Sequence, residues 1–408
     1  MDVRAPRQAG WSHAALALGG LAIGTTEFAA MSILPLFSRE FHVSLPNGAN
    51  AISAYAMGVV VGAPLIAVAG ARASRRTLLL WLLAWIALGN LLSAAAPSFG
   101  ALIAFRFVSG LPHGAYFGFA ALTASALVDE TRRAVAVGRV MSGLTVATIV
   151  GVPLANLLAR FAGWRASFVV VAVMAIASAV AVRALVPHDH GRADASPLGE
   201  LAALRNAQVW LTLGIGAVGF GGMFAIYTYL VPTLTMVTHA PDAAIPVVLA
   251  LFGVGMTLGN AVVPRFADRS PMLTAGALLL WSAAVAALYP LAAGRLWSIS
   301  AVVVAIGLGG ALGTVLQTRL MDVAGQGQGL AAALNHSAFN TANAIGPWLG
   351  GLTIAAGWGW TSTGWVAVAL ATGGLTIWSV AVLTDPVRRA ARSPAGHPAT
   401  RRPATQGE

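Results

Sequence analysis

Apolar runs of about 20 residues or more succeed one another along the chain, and each is long enough to cross the hydrocarbon core of a bilayer as a helix. They extend from Trp11 to Thr384 and are separated by short polar turns. The pattern predicts twelve spans: 11-37, 49-69, 78-96, 100-128, 134-160 and 166-186, then 209-238, 245-265, 272-292, 296-320, 326-356 and 361-384. Between the sixth and seventh, Pro187 to Gln208 is polar, with Asp189, His190, Gly191, Arg192, Asp194, Ser196 and Pro197, as a linker would be. The expected fold class is therefore an all-α membrane protein. A six-helix bundle over 1-186 leads through a cytoplasmic linker over 187-208 to a second six-helix bundle over 209-384, followed by a disordered cytoplasmic tail over 385-408. That tail, rich in Arg, Pro, Ala and Thr, is suited to anionic headgroups. The first run continues through Phe37 with no small-residue cleavage pattern, so it reads as a retained helix and not as a signal peptide.

The two halves also resemble each other at an offset of about 195 to 200 residues, as in duplicated transporters. Pro35 closes the first span as Pro232 closes the seventh, Leu78, Leu79, Leu80 and Trp81 recur as Leu278, Leu279, Leu280 and Trp281, and Gly110 is matched with Gly310.

Composition agrees with a lipid solvent: 58% of the 408 residues are hydrophobic and 9% charged, with a mean hydropathy of +0.78. The net charge of +11 would suggest nucleic acid in a soluble chain, but here the placement of the charge excludes it. All basic residues are arginines, and most fall in alternate connections: Arg4 and Arg7; Arg72, Arg75 and Arg76; Arg132, Arg133 and Arg139; Arg183, Arg192 and Arg205; Arg265, Arg269 and Arg319; and five in the tail. The opposite connections hold only Arg39, Arg160, Arg165 and Arg295. By the positive-inside rule both termini are expected in the cytoplasm, which requires an even number of spans. With no cysteine there is no disulfide, thiolate metal site or thiol nucleophile, and with no lysine there is no phosphate-binding Walker sequence. No cofactor or metal is expected.

Glu27, in Gly24-Thr25-Thr26-Glu27-Phe28, is the one acid well inside a span. An ionised carboxylate at that depth costs about 2.5 to 3.5 kcal/mol on insertion scales, so it faces a wet cavity, finds a partner or binds a proton. Arg106 is the corresponding cation, about 10 Å into the fourth span, while Glu27 lies about 15 Å from the outer end of the first, a similar layer. Arg106, Gly110, His113 and Gly114 share a helical face, and His113 is a candidate to extend a proton path or a hydrogen-bonded interior histidine. On the eleventh span His336, Asn340 and Asn343 form a polar stripe fit for solute or for interhelical bonding. Phe220, Phe224, Tyr227 and Tyr229 on the seventh offer aromatic surface to an amphipathic ligand, or an interfacial belt.

At these residues the chain resembles the major facilitator superfamily, in particular its twelve-helix bacterial drug:proton antiporter branch of arabinose-efflux-like and chloramphenicol-efflux permeases. The likeness is carried by Gly24 to Phe28 with Leu34-Pro35, by Arg106-x-x-x-Gly110, and by Ala333-Leu334-Asn335 through Gly351. It implies a proton-coupled exporter of a small organic solute or drug, not an enzyme, working by alternating access as a monomer in the bacterial inner membrane. By resemblance Glu27 and Arg106 are the proton-coupling pair; the pattern of the residues themselves adds His113 as a candidate beside them and Phe224, Tyr227, His336, Asn340 and Asn343 as candidate substrate contacts. The family's loop signature between spans two and three is reduced here to Gly70-Ala71-Arg72-Ala73-Ser74-Arg75-Arg76, whereas Ala267-Asp268-Arg269 survives between spans eight and nine. Gating roles are accordingly expected for Arg72, Arg76, Asp268 and Arg269. The exporter signature is imperfect at Gly151-Val152-Pro153-Leu154-Ala155 in the fifth span and is matched by Gly346-Pro347-Trp348-Leu349-Gly350-Gly351 in the eleventh. A solute:proton importer or facilitator for sugars or nucleosides is the alternative, and a membrane sensor a more distant one.

Overall fold

A bilayer offers its interior no hydrogen bonds, so runs this apolar have to satisfy their own backbone, and helices do so within one segment. In a computed structural model of the chain all regular structure among the described residues (6–70, 72–129, 133–189, 204–267, 269–324 and 328–385) is helical. The first half comprises α1 (Pro6–Ser32), α2 (Leu34–Glu40), α3 (Leu45–Gly48), α4 (Asn50–Ala69), α5 (Arg75–Ala94), α6 (Phe99–Gly110), α7 (His113–Ala126), α8 (Arg133–Val146), α9 (Val152–Ala162) and α10 (Trp164–Leu185). The second comprises α11 (Ala207–Gly219), α12 (Gly221–Thr228), α13 (Leu230–Met236), α14 (Ala244–Val262), α15 (Pro264–Ala267), α16 (Pro271–Ala292), α17 (Leu296–Leu308), α18 (Leu312–Val323), α19 (Gln328–Ala355) and α20 (Ser362–Thr384). Trp81, Leu291 and Trp297 stand exposed on the outer face, as lipid allows.

Among the described residues ten segments are long and apolar enough to cross a membrane. The expected fourth and eleventh spans are not among them. The fourth is broken into α6 and α7 at Leu111 and Pro112, where proline lacks the N–H a continuous helix needs. The eleventh is the 28-residue α19, whose Asn335, His336, Asn340 and Asn343 dilute its apolar character. The first span is shorter than expected: α1 ends at Ser32, and Pro35 opens the separate helix α2. Of the expected linker and tail, residues 190–203 and 386–408 lie outside the described residues.

The repeat is visible in the packing. Gly58 on α4 meets Phe107 and Gly110 on α6, as Gly255 on α14 meets Val304 and Gly307 on α17. Gly62 meets Leu111 as Gly259 meets Leu308, and every one of these correspondences spans 197 residues. The indole of Trp85 donates to the Val108 carbonyl (3.1 Å), and that of Trp281 to Ala305 (2.9 Å). The counterparts of Gly110 and Trp281 are therefore Gly307 and Trp85, not Gly310 and Trp81. Matching apolar letters slid the register by about one helical turn.

The halves meet along α4 and α19, with Ser53 donating to the Ala344 carbonyl (3.1 Å) and Ser337 to that of Val60 (3.3 Å). A second seam sets α14 against α9 and the π-helical turn Ala147–Gly151. On the arginine-poor side Arg160, after α9's last turn begins, pairs with Asp242 of the second half at 2.9 Å. Glu40 accepts from the Trp164 indole (2.6 Å) and from Arg165; the Arg165 bond, aided by Trp164, holds its carboxyl below the usual carboxylate range.

On the arginine-rich side the acid that the loop signature lacks is supplied from elsewhere. Asp189, just beyond α10, accepts from the Ser74 hydroxyl (2.8 Å) and from the backbone N–H groups of Arg75 (2.9 Å) and Arg76 (3.1 Å), capping α5. Partial burial opposes its ionisation, but the three donors outweigh this and hold the carboxyl below the ordinary aspartate value. Arg76 also donates to the Arg183 carbonyl, so this expected gating residue is tied within its own half. Arg72 and Arg269 are exposed, and Asp268 lies outside the described residues. In the second half Asp385, buried where a tail was expected to begin, binds Arg319 at 2.7 Å.

Candidate functional site

Glu27 lies between Thr26 and Phe28, five residues or about one and a half turns before the end of α1, and only 6% of it is exposed. Its Oε1 accepts from Asn343 Nδ2 at 2.9 Å, a bond that joins α1 to α19 across the two halves. One of the residues expected to contact solute thus holds the acid. Asn343 Oδ1 has no partner, nor does Oδ1 of Asn340, whose amide N–H bonds the His336 carbonyl on its own helix (3.0 Å). Two amide oxygens one turn apart are left available as acceptors.

Arg106, 1% exposed, reaches the same layer without forming an ion pair with Glu27. Its Nη1 donates to the Thr26 hydroxyl (3.0 Å) and Nη2 to the Thr26 carbonyl (3.4 Å). The guanidinium lies over the ring of Tyr55, 4.2 Å from its centroid, and 5.3 Å from that of Phe168, an arrangement favourable to a desolvated cation. Thr26 in turn donates to Asn90 Oδ1 on α5 (2.6 Å), whose Nδ2 bonds the Ile86 carbonyl (2.8 Å). The cation next to the acid is therefore fixed by Thr26, Tyr55 and Asn90, none of which was expected from the sequence. Asn90 inside an apolar span was the available signal; a threonine beside Glu27 and a tyrosine in a span are too common to have been one.

Tyr55 Oη also lies 2.9 Å from His113 Nδ1, and the His113 ring is 6.1 Å from that of His336. On the other flank, Phe28 stacks on Phe224 (6.1 Å) and meets Tyr227 edge-on (5.6 Å), while Tyr227 packs on Phe252 at 4.2 Å. Tyr227 is buried with its hydroxyl unpartnered, and Tyr229, also buried, donates to the Pro347 carbonyl (2.9 Å), so neither belongs to an interfacial belt. The layer thus gathers Glu27, Arg106, Asn343, Phe224 and Tyr227, with Asn340 one turn along α19 and the facing pair His113 and His336 set toward the arginine-rich side. It offers one acid, one cation, free amide acceptors and an apolar aromatic wall contributed by both halves. Among the described residues no group of three metal-ligating side chains occurs.

Many apolar helices, repeated halves and a buried layer of charged and aromatic groups between them define a multi-pass membrane transporter. The chain belongs to the major facilitator superfamily, whose family model matches residues 16–328. It is 39% identical to the inner membrane transport protein YdhP of Escherichia coli K12 over 85% of this chain and 90% of that one. It is 35% identical to a chloramphenicol resistance protein of Streptomyces lividans, over 87% and 93% of the two chains. With the putative transporter AraJ of Escherichia coli K12 it shares 33% identity, over 84% and 87%. The protein is a transporter and not an enzyme.

Proposed function

We propose that the protein exports a small organic solute from bacterial cells in exchange for protons, crossing the inner membrane twelve times with both termini in the cytoplasm and working as a monomer. The observation that carries this reading is Glu27, a buried acid held by Asn343 from the opposite half and flanked by Arg106 in its own. A carboxyl bonded across the seam feels any rocking of one half against the other, so its proton affinity and the orientation of the transporter are linked. Arg106 tunes that affinity by its charge, and His113 extends the path. Substrate lies against Phe224, Tyr227 and Phe28, with Asn340, Asn343 and His336 as polar contacts, and competes with the proton. Arg72, Arg76, Asp268 and Arg269 act in opening and closing the arginine-rich side. Inner-membrane placement and outward direction are supported by the names of the relatives.

Proteoliposomes holding an internal pH dye test this with a panel of aromatic and sugar-like solutes. Native protein is expected to move protons when a substrate is added, and Glu27→Gln to abolish it. Labelled solute that crosses without proton movement would replace the antiporter by a facilitator, and co-directional movement by an importer.

A further inference from the structure

His113 and His336 face each other from opposite halves of the chain, and their immediate surroundings are built around that meeting. His336 lies flat on Phe117, ring centroids 5.2 Å apart and planes within 6°, and Phe117 also touches His113 at 5.4 Å. Gly114 makes the approach possible, since a Cβ there would stand 2.6 Å from that of Ala63 and 3.3 Å from that of His336. Tyr55 fixes the His113 ring through Nδ1. His336 is bonded through its carbonyl, to Asn340, and among the described residues no protein group is bonded to its imidazole. On α19 it lies seven residues, about 10 Å, nearer the arginine-rich side than Asn343 and the Glu27 layer.

We propose that His113 and His336 form a second proton-binding site, a contact that holds the halves together on the arginine-rich side of Glu27 while both rings are neutral and releases them when it takes up a proton. The inference rests on the two halves rocking about a central site, but not on Glu27 being the carrier. Two neutral imidazoles and a phenyl ring pack well in this seam, where His113 is buried and His336 half-buried. An imidazolium there gains no carboxylate, because Glu27, the acid well inside a span, is engaged by Asn343. It also meets the Arg106 cation across Tyr55. Of the other elements packed on the pair, α1 adds His13, bonded to the Ala124 carbonyl at the far end of α7 (3.2 Å), α12 contributes Tyr227, and α5, α8 and α18 carry their charges at the arginine-rich ends, in Arg75, Arg76, Arg139, Arg319 and Asp322. The charged ring is therefore stabilised by parting the seam and admitting water. Histidine is the side chain whose unperturbed titration falls between about pH 5 and 8.

The chain has no cysteine, so spin labels can be placed at will. Ala73→Cys in the first half and Met321→Cys in the second, both exposed near the arginine-rich side, report its opening in lipid nanodiscs by pulsed electron–electron resonance. The ratio of long to short distances is expected to rise on acidification by up to about tenfold per pH unit, the slope for one proton taken up. Glu27→Gln is expected to keep that response, and His113→Gln and His336→Gln each to remove it, with unchanged distances at neutral pH showing that they fold. A response that survives both histidine substitutions, that is abolished by Glu27→Gln, or that is absent from the native chain would overturn the proposal. Transport lost in Glu27→Gln with the acid response intact separates this site from the carrier role of Glu27.

Discussion

Thr26 is the small residue on which the charged layer turns, since its hydroxyl accepts from Arg106 and donates to Asn90 at once. Thr26→Val keeps the shape and removes both bonds, leaving a buried guanidinium N–H and an amide oxygen short of partners. A bond to a charged group is worth about 1.5 to 3 kcal/mol, so a loss of that order is expected in the thermal or denaturant unfolding of the purified protein. Thr26→Ser, which restores the hydroxyl, should recover most of it; equal losses in both would show that the methyl packing matters and not the network. Glu27 and Arg106 were legible in the sequence because a charge inside an apolar run is expensive and therefore conspicuous. Their supports were not, since Thr26, Tyr55 and Asn90 are uncharged and their partners in the layer lie 51 to 80 residues away in the chain.

At the scale of elements, the sequence shows where helices lie better than where they break. Pro35 and Pro112 interrupt segments that hydropathy draws as continuous, and the π-helical turn before Pro153 gives α14 a place to pack. The cap on α5 was illegible for a different reason: its acid comes from Asp189, more than 110 residues beyond the loop it completes. Asp189→Ala is expected to cost about 0.5 to 2 kcal/mol at neutral pH, the usual range for a lost helix cap. Because the folded carboxyl titrates below its unfolded value, this contribution is fully present above the unfolded pKa of about 3.9 and fades as pH falls through the folded one. Unfolding midpoints of native and Asp189→Ala protein should therefore differ at pH 7 and converge in strong acid. A gap that is constant with pH would assign the effect to packing alone.

For the whole molecule the decisive question is which side of the seam is shut, and the contacts place closure on the arginine-poor side as well as at mid-depth. Pro46 lies against Gly351 there, Ser53 bonds Ala344, and Arg160 pairs with Asp242. The ion pair is solvated, with Asp242 84% exposed, so by itself it is worth about 0 to 1 kcal/mol. Even so, a balance between two arrangements responds to small terms, and 1 kcal/mol changes the ratio of open to closed about fivefold. Arg160 also bonds Asn156, which in turn binds the Ser32 carbonyl where α1 ends, so its side chain is already held in position and loses little freedom in pairing. Arg160→Asp sets two acids face to face and should raise the open fraction, read as the distance between spin labels at Asn47→Cys and Trp358→Cys, both exposed on this side. Asp242→Arg alone should do the same with two cations, and the double exchange should return the distribution toward the native one. High salt should compress all the differences, because exposed charges are screened. Single exchanges without effect would leave closure to the packing of α4 on α19, which depends on shape and not on charge.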